Sequence, residues 1–150
     1  MDLQREARRI GGRKAALACL VMFLFFEVMV FFVGSHGDLI HEGRNFVLSQ
    51  TDPLSTSVVV VAFVTVFLLG RVAGKQILVA GKNHMLVALI NWSITMLVLI
   101  VYVLGFSWVL RIVSDDWGRL FLLLGLIVGS VWLLAVRAIK RSSATLPGSR

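Results

Sequence analysis

One apolar segment, from His84 to Leu104, constrains the fold more than any other part of the chain. As a helix rising about 1.5 Å per residue it is long enough to cross the ~30 Å hydrocarbon core of a bilayer. Its polar side chains recur at intervals of seven, four and seven residues, which at about 100° per residue places them on one face: His84, Asn91, Thr95 and Tyr102. We therefore predict a transmembrane helix with a polar face that points toward protein or water rather than lipid.

Three further apolar runs lead to the same kind of fold. Hydrophobic residues make up 58% of the 150-residue chain, more than is usual in soluble domains. We predict an all-α, polytopic membrane protein in which residues 1–150 form one four-transmembrane-helix bundle. The expected spans cover approximately residues 15–33, 54–73, 85–105 and 119–137, and residues 138–150 are expected to form a mobile cytoplasmic tail.

The distribution of Lys and Arg predicts the orientation. Basic residues concentrate before the first span, between the second and third, and after the fourth, whereas the two opposite connections hold only Arg44, Arg111 and Arg119. Because basic residues are retained on the cytoplasmic side, both termini are expected to be cytoplasmic. The expected location is the cell's inner (plasma) membrane, with multiple passes.

The net charge of +7 does not indicate nucleic-acid binding. The cations lie at the ends of the expected spans, without the aromatic-interleaved patch or the binding module typical of nucleic-acid-binding proteins. The expected surroundings are a lipid bilayer and further copies of the chain or a partner in a membrane complex. No nucleic-acid partner, cofactor or bound metal is expected.

Glu27 is the acidic side chain within the expected spans, about one turn outward of the first span's midpoint. Ionisable groups inside membranes are costly and usually face an interior, a pathway or a partner. Glu27 is therefore a candidate for proton or cation coupling, and the alternatives are a structural hydrogen bond within the bundle or an exposed group near a water-filled dip in the membrane. If the first and third spans are neighbours, Thr95 and Tyr102 lie at suitable depths to be its partners.

The polar face of the third span also has two interpretations. His84, Asn91, Thr95 and Tyr102 are candidates, with Glu27, for a ligand or ion pathway. The alternative is that they only hydrogen-bond neighbouring helices, as polar side chains in membrane bundles often do.

Two further groups of residues have expected roles. Gly118, Gly125 and Gly129 share a face of the fourth span, and the GxxxG spacing of the last two predicts close packing against another helix. Arg71, Lys75 and Lys82 form a basic stripe at the end of the second span, which we interpret as cations that extend to the membrane interface, with binding of lipid headgroups or anions as the alternative.

The outer connection contains His36, Asp38, His41 and Glu42, which are metal-ligand types. Their spacing matches no standard metal signature, so no metal site is predicted there. The sequence also lacks a nucleophile elbow, a P-loop and an HExxH motif, and we do not expect an enzyme.

Four short spans with a glutamate in the first, Glu27, resemble the small multidrug resistance transporters. The resemblance covers architecture and this residue, while the glycine and aromatic surroundings of that family's glutamate are not found here. The leading functional hypothesis is a small transporter or channel that acts as an oligomer. The alternatives are a non-enzymatic accessory or interaction subunit of a larger membrane complex and a pore-forming membrane effector.

Overall fold

A computed structural model of the chain describes residues 3–33, 53–110 and 117–145. The described residues form four α-helices and one short 3₁₀ helix: α1 (Leu3–Val33), α2 (Pro53–Leu78), α3 (His84–Leu110), α4 (Trp117–Arg141) and the 3₁₀ helix Ser142–Thr145. The prediction of an all-helical chain is thus confirmed.

Three of the helices are long and apolar enough to cross a membrane. The qualifying segments are Thr56–Leu78, His84–Val109 and Trp117–Arg141. The described part of α1 differs from them because a polar, basic N-terminal half, which was not expected to lie in a span, continues as helix into an apolar C-terminal half. The chain therefore has three helices compatible with a membrane protein, and a further crossing by α1 remains a prediction.

The connection between α2 and α3 is short and closed by its own hydrogen bonds. At the end of α2 the Lys75 carbonyl accepts hydrogen bonds from the N–H groups of Val79 and Ala80, at 3.1 and 3.2 Å. Gly81 follows with a φ of +62°, a left-handed conformation that glycine adopts without steric cost. Asn83 then caps α3, its Oδ1 accepting the N–H of Met85 at 2.9 Å. Such a tight connection makes α2 and α3 antiparallel neighbours.

The helices pack in chain order around the bundle. α1 lies against α2 and α4, and α3 also lies against α2 and α4. α2 and α4 also touch across the bundle, whereas any contact between α1 and α3 is marginal. The interior is filled by apolar side chains, and the largest fully buried ones are Trp132, Leu99, Ile139, Val66 and Val87. Helix α4 extends to Arg141, beyond the expected end of its span, because Ile139 continues the buried face of Val128, Trp132 and Ala135.

The outer surface of the bundle is apolar. Leu97, Val101, Leu122 and Leu126 are each more than 60% exposed. Exposed large apolar side chains along whole helices would be unfavourable in water, whereas they suit a hydrocarbon environment.

The tightest helix–helix contact joins α1 to α2, and we call it the glycine seam: Ala7, Gly11 and Ala15 on α1 with Gly70 and Gly74 on α2. A Cβ atom added to Gly74 would lie 2.8 Å from the Cα of Gly11 and would also collide with the Ala7 carbonyl oxygen. A Cβ on Gly70 would collide with the Ala15 Cβ. The two backbones are therefore in direct contact, and the pairing of earlier α1 residues with later α2 residues makes the helices antiparallel.

We expect Gly74→Leu to lower the free energy of unfolding by about 1–3 kcal/mol, because the larger side chain must force the two backbones apart. Thermal unfolding in detergent micelles, followed by circular dichroism, measures the effect. Gly105→Leu is the matched control, since a Cβ at Gly105 meets nothing within 4 Å. Equal stability of the two variants would contradict the close approach at the glycine seam.

Candidate functional site

The polar face of α3 divides into buried and partly exposed positions. Asn91 and Thr95 are buried inside the bundle, with 3% and 0% of their surfaces exposed. His84 and Tyr102, toward the two ends of the same helix, are partly exposed. The structure therefore places Asn91 and Thr95, the two central residues of this polar face, in the protein interior.

Thr95 is held by hydrogen bonds on both sides. Its hydroxyl group donates to the Asn91 carbonyl oxygen at 2.8 Å and accepts the indole N–H of Trp132 at 3.1 Å. Trp132 belongs to α4 and is fully buried. Thr95 thus ties α3 to α4, which was one of the two roles considered for the polar row.

A second indole hydrogen bond runs in the opposite direction between the same helices. Trp92 of α3 donates its Nε1–H to the carbonyl oxygen of Gly125 on α4, at 3.0 Å. Each helix therefore provides one tryptophan that hydrogen-bonds the other. Sequence reasoning missed this pair because neither tryptophan sits at a helix end, where membrane-interface tryptophans are expected.

Two buried polar atoms have no hydrogen-bond partner among the described residues: Asn91 Nδ2 and Ser107 Oγ. An unpaired buried polar group costs about 1–3 kcal/mol. Both lie on α3, and each is a position where a further polar group would be stabilising. Ser107 was not identified from the sequence, in which it lies between Phe106 and Trp108.

The two outer members of the row have different surroundings. His84 is the first residue of α3, beside the capping residue Asn83. The Tyr102 ring stacks on the ring of Phe106, one turn further along α3, with centroids 5.9 Å apart. The structure does not join Tyr102 and His84 to the Asn91–Thr95 pair by hydrogen bonds.

Glu27 lies on the outward side of α1. It is partly exposed, and it follows Leu20 and Leu24, which are 48% and 53% exposed, at helical spacing. The suggested contact with Thr95 or Tyr102 is wrong, because α1 packs against α2 and α4 rather than α3. The Thr95 hydroxyl is instead engaged by α3 and α4.

The glycines of α4 do not contact another helix backbone among the described residues. Gly125 and Gly129 lie beneath the Trp92 side chain, and a Cβ added to Gly129 would be 3.5 Å from Trp92 Nε1, an ordinary packing distance. Gly118 has nothing near it within 4 Å among the described residues. Direct backbone contact occurs at the glycine seam instead, and its sequence signal was the GxxxG spacing of Gly70 and Gly74.

The basic stripe of α2 borders a groove of about 690 Å³, which we call the basic groove. Arg71, Lys75 and Lys82 line it, as the stripe predicts, and Arg8 of α1 joins them. Leu68, Val72, Gln76 and Ala80 form the rest of its lining. The contribution of α1 was not anticipated, because the sequence does not show that its N-terminal half continues as helix alongside α2.

A second groove, of about 640 Å³, lies between α3 and α4, and we call it the apolar groove. Its lining includes Trp92, Trp132, Met85 and Leu133, with Asn83 as its polar member. Both grooves open to the protein surface. Within the described parts of the chain, no three His, Cys, Asp or Glu side chains come together to hold a metal ion. The loop residues from His36 to Glu42 lie outside the described residues.

We expect Thr95→Val to lower the free energy of unfolding by about 1–2 kcal/mol, since it leaves the Trp132 indole N–H without its acceptor. The control is Ser93→Ala, which removes an exposed hydroxyl that bonds only the Leu89 carbonyl of its own helix. Unfolding in micelles titrated with sodium dodecyl sulfate, monitored by tryptophan fluorescence, compares the two. If both variants lose the same stability, the interhelical bond contributes nothing specific.

Comparison of the chain with known protein families, with curated proteins and with solved structures finds no match to any of them.

Proposed function

We propose that the protein is a small integral membrane protein of the cell's inner membrane that crosses it four times, with both termini in the cytoplasm. The three membrane-compatible helices support this topology. So does the apolar half of α1, which runs from Ala15 to Val33 in a helix that packs against α2 and α4. The concentration of Lys and Arg in the segments expected on one side of the membrane supports the orientation.

We further propose that it acts as an oligomeric transporter or channel, and the observation that carries this is the position of Glu27. At about three residues from the midpoint of its span, the carboxyl group lies roughly 5 Å from mid-membrane. It is partly exposed there, on a face shared with Leu20 and Leu24. A carboxylate at that depth costs roughly 3 kcal/mol or more in lipid. Glu27 therefore needs protonation, water or a neighbouring protein surface.

The packing of the bundle favours a pathway between copies over one within a single copy. Trp132, Leu99 and Val66 fill the interior and are fully buried, and Thr95 is engaged in hydrogen bonds rather than free to contact a solute. A second copy placed against the Leu20–Leu24 face would cover Glu27 and bring two carboxyl groups into one intersubunit space. Such a space is suited to protons or small cations.

The topology is tested by cysteine labelling in cells, with Cys19→Ser as background. We expect an impermeant maleimide to modify a cysteine at Ser49, in the outer connection, and to spare one at Ser143, an exposed residue after α4. Permeabilised cells should label both variants. Labelling at Ser143 in sealed cells would contradict the cytoplasmic C-terminus.

The role of Glu27 is tested by Glu27→Gln, which keeps size and hydrogen bonding but cannot ionise. In proteoliposomes with an imposed pH gradient, we expect parent protein to conduct protons or monovalent cations in a pH-dependent way and the variant to lose that dependence. Glu6→Gln is the matched control, because it removes a carboxylate from the same helix outside the apolar half. An unchanged pH profile in the Glu27→Gln protein would contradict proton or cation coupling at Glu27.

The second candidate function is an accessory subunit of a larger membrane complex, and the apolar groove is the observation that favours it. Leu89, Trp92 and Leu133 line an open depression on the bundle surface that a partner helix would fill. In that case Glu27→Gln would leave activity of the complex nearly unchanged, while Leu133→Trp would reduce recovery of the partner. The mass of the detergent-solubilised protein and the identity of co-purifying chains separate the two candidates. Neither candidate requires an enzymatic activity.

A further inference from the structure

The basic groove collects positive charge from two helices at one end of the bundle. Arg8 of α1 and Arg71, Lys75 and Lys82 from α2 and its following connection line it. Neither Glu6 nor Glu27, the acidic residues within the described parts of the chain, is among its lining residues. Four cations around one open groove repel one another, so an anion placed between them would be stabilising.

The glycine seam explains how these charges come together. Gly74 contacts Ala7, so Arg8, the next residue of α1, is brought beside the last turns of α2. The Arg71 side chain packs against Gly12 of α1, since a Cβ added to Gly12 would be 2.8 Å from the Arg71 Cγ. Its aliphatic stem is therefore packed on α1. Arg71 is anchored by protein on one side, unlike a side chain that merely extends toward the membrane surface.

Apolar and basic residues follow one another along the groove. Leu68 and Val72, which are 52% and 48% exposed, line the groove on either side of Arg71, and Lys75 and Lys82 lie further along, toward the end of α2 and its connection. Leu68 and Lys75 are separated by two helical turns, about 10 Å along the axis. A groove that begins with an apolar residue, Leu68, and becomes increasingly cationic toward Lys82 complements a molecule with an acyl chain and an anionic head.

We infer that the basic groove is a binding site for an anionic glycerophospholipid of the cytoplasmic leaflet. The headgroup phosphate would lie among Arg8, Arg71 and Lys75, and an acyl chain would run along Leu68 and Val72. The planar guanidinium groups of the arginines suit phosphate oxygens, and anionic lipids are enriched on the side where the basic residues are expected. The inference requires that α2 lies in a membrane but not that the protein transports anything, so it survives if Glu27→Gln proves silent.

The experiment measures binding of a fluorescent phosphatidylglycerol to the purified protein in zwitterionic detergent, with fluorescent phosphatidylcholine as reference. We expect the parent protein to bind the anionic lipid at least about tenfold more tightly. The triple variant Arg8→Gln/Arg71→Gln/Lys75→Gln should lose about tenfold or more of that affinity. Glutamine at position 71 retains the Cγ that packs on Gly12, and an unchanged thermal midpoint without lipid verifies the fold.

A second triple variant controls for net charge. Arg5→Gln/Arg9→Gln/Lys140→Gln removes three exposed cations that do not line the groove. We expect it to change affinity for phosphatidylglycerol by less than about twofold, because it leaves the groove intact. Equal losses in the two triple variants would overturn the inference, since they would show adsorption to a diffuse positive surface.

The apolar part of the groove distinguishes a lipid from a soluble anion. Val72→Asn should weaken phosphatidylglycerol binding severalfold, because it places an amide beside the acyl chain. Glycerol phosphate, a soluble phosphate ester without acyl chains, should fail to compete at millimolar concentration. Full competition by glycerol phosphate, together with normal lipid binding by Val72→Asn, would identify an anion site and overturn the lipid assignment.

Discussion

The arrangement of the bundle depends on the direct backbone contact between α1 and α2. Gly11, Gly70 and Gly74 remove the side chains that normally keep helices about 8–10 Å apart. At such a short separation the dispersion energy between the two backbones is a main source of association. The same contact gives the polar half of α1 a place against α2 and thereby builds one wall of the basic groove.

The sequence predicts the elements of this structure better than the contacts between them. Apolar length and helical periodicity place the helices of the chain, and charge spacing identifies Arg71, Lys75 and Lys82 as one surface. The polar row on α3 was also recognisable, but the division between buried Asn91 and Thr95 and the partly exposed ends depends on which helices surround α3.

The sequence does not show which helices pack against each other. Two GxxxG motifs occur, and spacing alone cannot show that Gly70 and Gly74 meet a backbone while Gly125 and Gly129 meet an indole ring. The assumption that Glu27 lies near Thr95 was wrong for the same reason. The depth of a residue in a membrane gives its height along the helix axis but not the helices that surround it. Helix order around a bundle follows from the sum of many packing contacts, which no single motif encodes.

The reciprocal indole bonds between α3 and α4 have a consequence for motion. Trp92 reaches the Gly125 carbonyl and Trp132 reaches the Thr95 hydroxyl, so sliding one helix by a single residue, about 1.5 Å, would break both bonds. α3 and α4 are therefore fixed in axial register. The glycine seam holds α1 and α2 in direct contact in the same way. A change of shape that preserves both contacts would move each helix pair as one body and would occur where α1 meets α4 and α2 meets α3.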